Sequence, residues 1–496
     1  MHASLSRRFT ASLIAATIGA GGVLAGLPVS AAPAAADPAP IPVTADYDGD
    51  GKPDKAEWRP ADGTWVITPA SGGPVITQQF GQAGDLPVPG DYQGDAKIEL
   101  GVVRAGGVLR ARAVTGGAVQ EHPWATAAYR PVDGDVPRVL NLAKAASELA
   151  NRLHSGHRFG EATEASKVAR DLYRKVAEHE PSHLAGWGTA ALALGSNLSL
   201  TGQHQEGIIA TYEGVEVFHQ LGDQARLAAA YEALAGVFHR AFRFNEAVTP
   251  SRKAHDIYER LGLKVDQIRA AFALGGNLSL SGRHKEAILY GKRAVEVATA
   301  INDQQKLAEA YFQLADRYHY ASQFADAAKA SEESVKLYRA LVVTKPGLRG
   351  DLGRALIQWG GNLALSGDRA KAVEVTKEAV EVYGQAGDRV GQAGAYDALV
   401  QRLLEAGRAA EAVDPAQRAR QIYGDLLTVN RAQFLPGWSN AALVLGQTLA
   451  SLGRGAEAKP HAQEAVDGFK EVVRDNPTVE LYRARLKAAE DLLARL

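Results

Sequence analysis

The sequence predicts a mainly α fold: a solenoid of about eight helix-pair units behind a small β module of two repeats. Three observations predict it. An acidic-alanine pair recurs as Glu161-Ala162, Glu246-Ala247, Glu286-Ala287, Asp326-Ala327, Glu411-Ala412 and Glu457-Ala458, with Glu206-Gly207 and Lys371-Ala372 as weaker members. The stretch ALGSNLSLTGQHQEGI (193–208) matches ALGGNLSLSGRHKEAI (273–288). Composition switches near Asp133-Gly134-Asp135 from Gly/Pro/Asp-rich to Ala/Leu/Glu-rich with helical periodicity. These divide the chain into 1–36, 37–135 and 136–496.

Residues 1–36 read as an export signal. Arg7 and Arg8 form a basic start, an Ala/Gly-rich apolar run follows, and Val29-Ser30-Ala31 and Ala34-Ala35-Ala36 offer small-residue cleavage sites. Ser6-Arg7-Arg8-Phe9 is similar to a twin-arginine signal, which leaves the Sec and Tat routes both open. No later stretch is long and apolar enough to span a bilayer. The mature chain is therefore expected outside the cytoplasm, secreted or on the cell surface. A net charge of -1 gives no broad footprint for nucleic acid, and the absence of cysteine excludes disulfides, thiol nucleophiles and thiolate-bound zinc.

Residues 37–135 repeat internally. Pro42-Val43-Thr44-Ala45-Asp46-Tyr47 returns as Pro87-Val88-Pro89-Gly90-Asp91-Tyr92, and strands are expected at 56–59, 64–68, 75–80, 100–104 and 108–113. Residues 46–57, DYDGDGKPDKAE, satisfy the EF-hand loop pattern. An EF-hand needs flanking helices, and here strand-forming residues flank the loop. Asp46, Asp48 and Asp50 present carboxylates at alternate positions, Gly51 permits the turn, Lys52 offers its carbonyl, and Asp54 is expected to close a calcium site. The bland reading is a solvated acidic turn. The second copy, Asp91 to Glu99, has Ala96 in place of the turn glycine and is expected to bind weakly or not at all. The region resembles FG-GAP/VCBS repeats, in which such loops precede strands.

In the helical region a small residue stands twelve before the alanine of each marker pair: Ala150, Gly195, Ala235, Gly275, Ala315, Gly360, Val400 and Gly446, with Val400 the bulky departure. Leu or Trp precedes each, and a large apolar residue follows three later, which places all three on one helical face. The array resembles the tetratricopeptide repeat family. That resemblance implies a right-handed superhelix whose first helices line a concave groove. After the eight units the sequence itself suggests a final helix from about Thr478 to Leu496 as a polar cap. The connectors are of two kinds, Gly/Asp turns and segments carrying Pro181, Pro346, Pro436 or Pro477.

Enzymatic motifs are weak. His179-Glu180-Pro181-Ser182-His183 spells HExxH, but Pro181 breaks the helix a zincin requires. Asn197 and Asn277 begin glycosylation sequons inside packed helices. His154, His239 and His319 share one register, two units apart, too far to share an ion. Together with Asn151, Glu232, Arg240, Phe272, Phe312, Asp316, Tyr320, Gln401 and Glu405 they form the expected groove lining. Aromatic residues mixed with both charges suit a protein or peptide partner. The leading expectation is a secreted, non-enzymatic scaffold with a structural calcium loop. The alternatives are an adhesin whose β module binds a cell-envelope glycan, and an enzyme of unknown type.

Overall fold

The computed structural model describes residues 40–83, 85–92, 97–104, 108–123 and 136–496. The expected export signal, the boundary at 133–135, and Asp95 and Ala96 of the second loop lie outside them.

Each N-terminal repeat folds into a four-stranded antiparallel meander. The first comprises β1 (Ile41–Pro42), β2 (Lys55–Arg59), β3 (Thr64–Thr68) and β4 (Ile76–Gln79); the second β5 (Leu86–Pro87), β6 (Leu100–Arg104), β7 (Val108–Arg112) and β8 (Gln120–Pro123). Alternation along β2 and β3 turns Ala56, Trp58, Trp65 and Ile67 inward, where they meet Leu100 and Val102 of the second sheet. The second sheet in turn packs Val88, Tyr92, Leu109 and Ala111 against Val139, Leu142, Ala143 and Ala146 of the first helix. Two side chains fasten this seam: Asn141 Nδ2 donates to the Asp91 carbonyl (2.7 Å) and Arg152 Nη1 to the Pro87 carbonyl (2.7 Å). The β module thus lies against the helices.

Eight helix pairs follow: Val136–Ser155 with Phe159–His179; Leu184–Leu200 with His204–Leu221; Gln224–Arg240 with Phe244–Leu261; Lys264–Leu280 with His284–Ala300; Gln304–Tyr320 with Phe324–Thr344; Arg349–Ser366 with Arg369–Ala386; Arg389–Glu405 with Val413–Leu426; and Arg431–Ser451 with Gly455–Asp475. Helix Glu480–Leu493 caps the stack, its Leu492 and Ala489 buried against the last pair. Pro181 and Pro346 open 3-10 turns between units, as a ring that cannot donate would dictate. Pro436 corrects the expected connector set: it lies inside helix Arg431–Ser451, at its sixth residue, where the ring forgoes the intrahelical bond to the Ala432 carbonyl.

First helices of neighbouring units run close together, with side-chain bonds such as His319–Asn362 and Asp316–Gln358 joining units five and six, whereas consecutive second helices meet through long side-chain pairs such as Arg170–Glu213, Arg252–Glu286, Arg339–Glu378 and Arg420–Glu464. The first helices therefore line the inner, concave side.

The small residues sit where two helices cross. A Cβ on Gly195 would lie 2.0 Å from Thr211 Oγ1, and one on Gly360 2.3 Å from Thr376 Oγ1. Around Gly275 the arrangement differs. Gly275, Gly276 and Gly291 leave a hollow that the Arg317 side chain of the next unit fills.

Candidate ligand groove and acidic loop

The three histidines do not stand free on the groove wall. His154, His239 and His319 bond through Nδ1 to Oδ1 of Asn197, Asn277 and Asn362, at 2.6, 2.7 and 2.8 Å. Each asparagine lies on the next unit's first helix and donates from Nδ2 to a buried serine: Ser166, Ser251 and Ser331, at 2.9, 3.0 and 3.0 Å. Since the amide nitrogen serves the serine, its oxygen faces the histidine, and Nδ1 must carry the ring proton. Each ring also meets a phenylalanine edge-on: Phe159, Phe244 or Phe324. The relays tie odd units to even ones. In the last pair of units the same places hold Leu404, Ala416 and Thr448, and the relay is absent.

The other expected lining residues all lie on first helices. Glu232 accepts both Arg269 nitrogens, Nε at 3.1 Å and Nη2 at 2.7 Å, and the Tyr258 hydroxyl at 2.9 Å. That carboxylate holds the Arg269 guanidinium more strongly protonated than usual, while burial, reinforced by Glu232, raises the Tyr258 phenol. Arg240 donates from Nε to Ser199 Oγ (2.9 Å), and its burial lowers its pKa. Asp316 accepts from Gln358 Nε2 (3.1 Å), and burial raises the Tyr320 phenol beside it. Gln401 Nε2 donates to Glu405 (3.0 Å), which also takes Arg402 Nη1 (2.9 Å). Asn151 is exposed and Phe272 half-buried.

Phe312 borders a cavity of about 190 Å³ between units five and six, lined also by Gln305, Glu309, Gln313, Tyr338, Asp351 and Arg354. Arg354 pairs with Asp351 and lies over the Phe312 ring, 5.9 Å from its centroid. Glu309 is paired with Lys306 at 3.0 Å.

In the acidic loop, carboxylate oxygens of Asp46, Asp48 and Asp50 lie within 4.8 Å of one another. Gly49 and Gly51 adopt left-handed φ of 77° and 83°, and backbone N–H groups of Gly49, Asp50 and Gly51 fold inward onto Asp46. Convergent hard oxygens of this kind fit a calcium ion. Lys52 is exposed, its N–H bonded to Asp50 Oδ1 at 2.8 Å. Asp54 is a correction. It is fully buried, and its two oxygens accept the backbone N–H of Tyr47 (2.8 Å) and Ala70 (2.7 Å), which braces the loop from beneath. Glu99 does the same for Tyr92 at 2.6 Å in the second repeat. The shared partner explains why both repeats carry a carboxylate there.

The HExxH string behaves as a connector: His179 Nδ1 bonds the Lys175 carbonyl at 3.0 Å and His183 Nε2 meets Glu180 at 3.2 Å. Asn197 and Asn277 are buried and fully engaged.

Residues 227–300 match the Tetratricopeptide repeat family. The matched stretch spans units three and four, and so includes one complete His239–Asn277–Ser251 relay and the Glu232–Arg269 pair. The tetratricopeptide-like solenoid resembles several solved structures. BtubC from P. vanneervenii is 17% identical, with 46% of this chain and 92% of that one covered at a TM-score of 0.40. A Rap protein complexed with competence and sporulation factor is 13% identical over 69% and 99%, at 0.37. Aspartyl phosphate phosphatase F from Bacillus subtilis is 12% identical over 60% and 75%, at 0.41. No curated protein matches the chain. Among the described residues no helix is long and apolar enough to cross a membrane.

Sequence reasoning singled out Asn197 and Asn277 only as sequons inside packed helices, and missed Asn362, the serines and the pairing with histidine. The signal was present in the alternation Ala150, Gly195, Ala235, Gly275, Ala315, Gly360, which marks a two-unit period.

Proposed function

We propose that the chain is an extracytoplasmic, non-enzymatic scaffold that binds a polypeptide segment along the inner face of its first helices. The cavity between units five and six carries this reading. It sits on the lining helices and combines aromatic walls with both charges, the chemistry that protein interfaces favour at their cores and rims. Side chains on that face are already fixed by internal bonds, which limits the ordering cost of binding. The acidic loop is a calcium site of FG-GAP/VCBS type, held by Asp46, Asp48 and Asp50, that stiffens the β module at the mouth of the solenoid.

A peptide display selection against the mature chain tests the reading. Peptides that bind wild type and fail on a Tyr320→Ala, Gln401→Ala double variant support it. Selected peptides indifferent to that change, but lost when residues 37–135 are removed, would favour the adhesin alternative.

A further inference from the structure

Four tyrosines recur eleven residues after the marker alanine in the odd units: Tyr173, Tyr258, Tyr338 and Tyr423. Two places recur in register with each, one on its own first helix and one on the first helix of the next unit; for Tyr258 both are in hydrogen-bond reach. In units one and two those places hold Ser147 and Thr189, both neutral. In units three and four they hold Glu232 and Arg269, a complete ion pair closed by the Tyr258 hydroxyl.

The remaining two junctions are each missing one partner. In units five and six Arg354 keeps the place of Arg269, and Asp351 keeps that of Asp266, but Phe312 stands where Glu232 would be. The cavity borders that vacated place, and Glu309, the other acid in its wall, is already neutralised by Lys306. In units seven and eight the acid is present and the base is gone. Asp397 takes the place of Glu232 and accepts the Tyr423 hydroxyl at 3.2 Å, while Asn440 stands where Arg269 would be. Burial without a cation pushes the Asp397 carboxyl up to about 7.

We infer that the groove reads a dipolar polypeptide: a ligand carboxylate pairs with Arg354 where Glu232 would stand, and two units on a ligand cation pairs with Asp397 where Arg269 would stand. This rests on the groove-binding reading and gives it a charge pattern. The complete pair in units three and four shows within the same chain what each half-site accepts. Arg354 keeps only Asp351 where Arg269 has both Asp266 and Glu232, and Asp397 keeps only the Tyr423 hydroxyl, so each has room for the further charge-assisted bond that a ligand would supply.

Saturation-transfer NMR on the mature chain tests the inference. The probes are N-acetylglutamate methylamide and N-acetylalanine for a side-chain or terminal carboxylate, and N-acetylarginine amide and alanine amide for a side-chain or terminal cation. Two substitutions fill the seats from within. Phe312→Glu should cut the carboxylate signal at least tenfold and leave the cation signal intact. Asn440→Arg should do the reverse. Arg354→Gln and Asp397→Asn should reproduce the same two losses, so each seat's variants control for the fold at the other. Absence of transfer from both probe classes, or transfer indifferent to its own pair of substitutions at either seat, overturns the inference. Display peptides that still bind the groove in that case would leave the scaffold reading standing without this charge pattern.

Discussion

Gly195→Ala and Gly275→Ala are the same change at equivalent places, and the packing predicts opposite outcomes. An alanine in a helix interior is worth about 1 kcal/mol over glycine. At Gly195 the new methyl would lie 2.0 Å from Thr211 Oγ1 and 2.8 Å from the Gly207 carbonyl. Thr211 is fully buried and donates to that carbonyl at 2.7 Å. Turning it away leaves a buried hydroxyl unpaired, about 1–3 kcal/mol, and the backbone contact adds about 1–3 kcal/mol of overpacking. The net loss is roughly 1–5 kcal/mol, from the same two terms less the propensity gain. At Gly275 the nearest atom is Arg317 Nε at 3.2 Å, and the Ala287 carbonyl is at 3.6 Å. A small shift of that side chain suffices, and the change should fall within about 1 kcal/mol of neutral. A solenoid need not unfold as one unit, so the assay is hydrogen exchange resolved by helix. Gly195→Ala should lose protection in Leu184–Leu200 and His204–Leu221, while Gly275→Ala keeps it in units four and five. Equal protection in both variants would refute the assigned helix crossings.

Three further outcomes follow from the same structure. Asn277→Leu strands Ser251 and His239 and should cost about 1–3 kcal/mol; the triple change His239→Leu, Ser251→Ala, Asn277→Thr, which copies Leu404, Ala416 and Thr448, should cost less by chemical denaturation. Asp397 has a folded-state pKa of about 7, above the usual carboxyl value. Its contribution to stability is full below about pH 4 and is lost as pH rises through 7, so Asp397→Asn should match wild type in acid and melt higher at pH 8. Asp48→Ala should abolish the calorimetric calcium signal of the mature chain, expected at a Kd on the order of 10⁻⁴–10⁻³ M; a wild type that gives no heat at several millimolar calcium would reduce the loop to an acidic turn.

Much of the fold was legible because its signals are periodic. The marker pairs located all eight units, and strand alternation located β2, β3, β4, β6 and β7. β1, β5 and β8 escaped notice: the first two are two-residue strands without alternation, and β8, Gln120-Glu121-His122-Pro123, has no apolar alternation and carries a proline. Asp54 was misread because a carboxylate at a ligand-like spacing is indistinguishable in sequence from one that braces the backbone; only its burial beneath Tyr47 and Ala70 separates them. The expected groove residues were assigned to first helices from their register, but their partners were not legible. Glu232 finds Arg269 and His239 finds Asn277 across a unit boundary, and comparison of neighbouring units one by one hides a pattern that repeats every second unit.

The most direct test of the central claim is photo-crosslinking of a display-selected peptide to the mature chain, with the attachment sites mapped by mass spectrometry. Binding along the inner face predicts adducts on first-helix residues such as Phe312, Tyr320 and Gln401. Adducts confined to second helices or to residues 40–123 would contradict it.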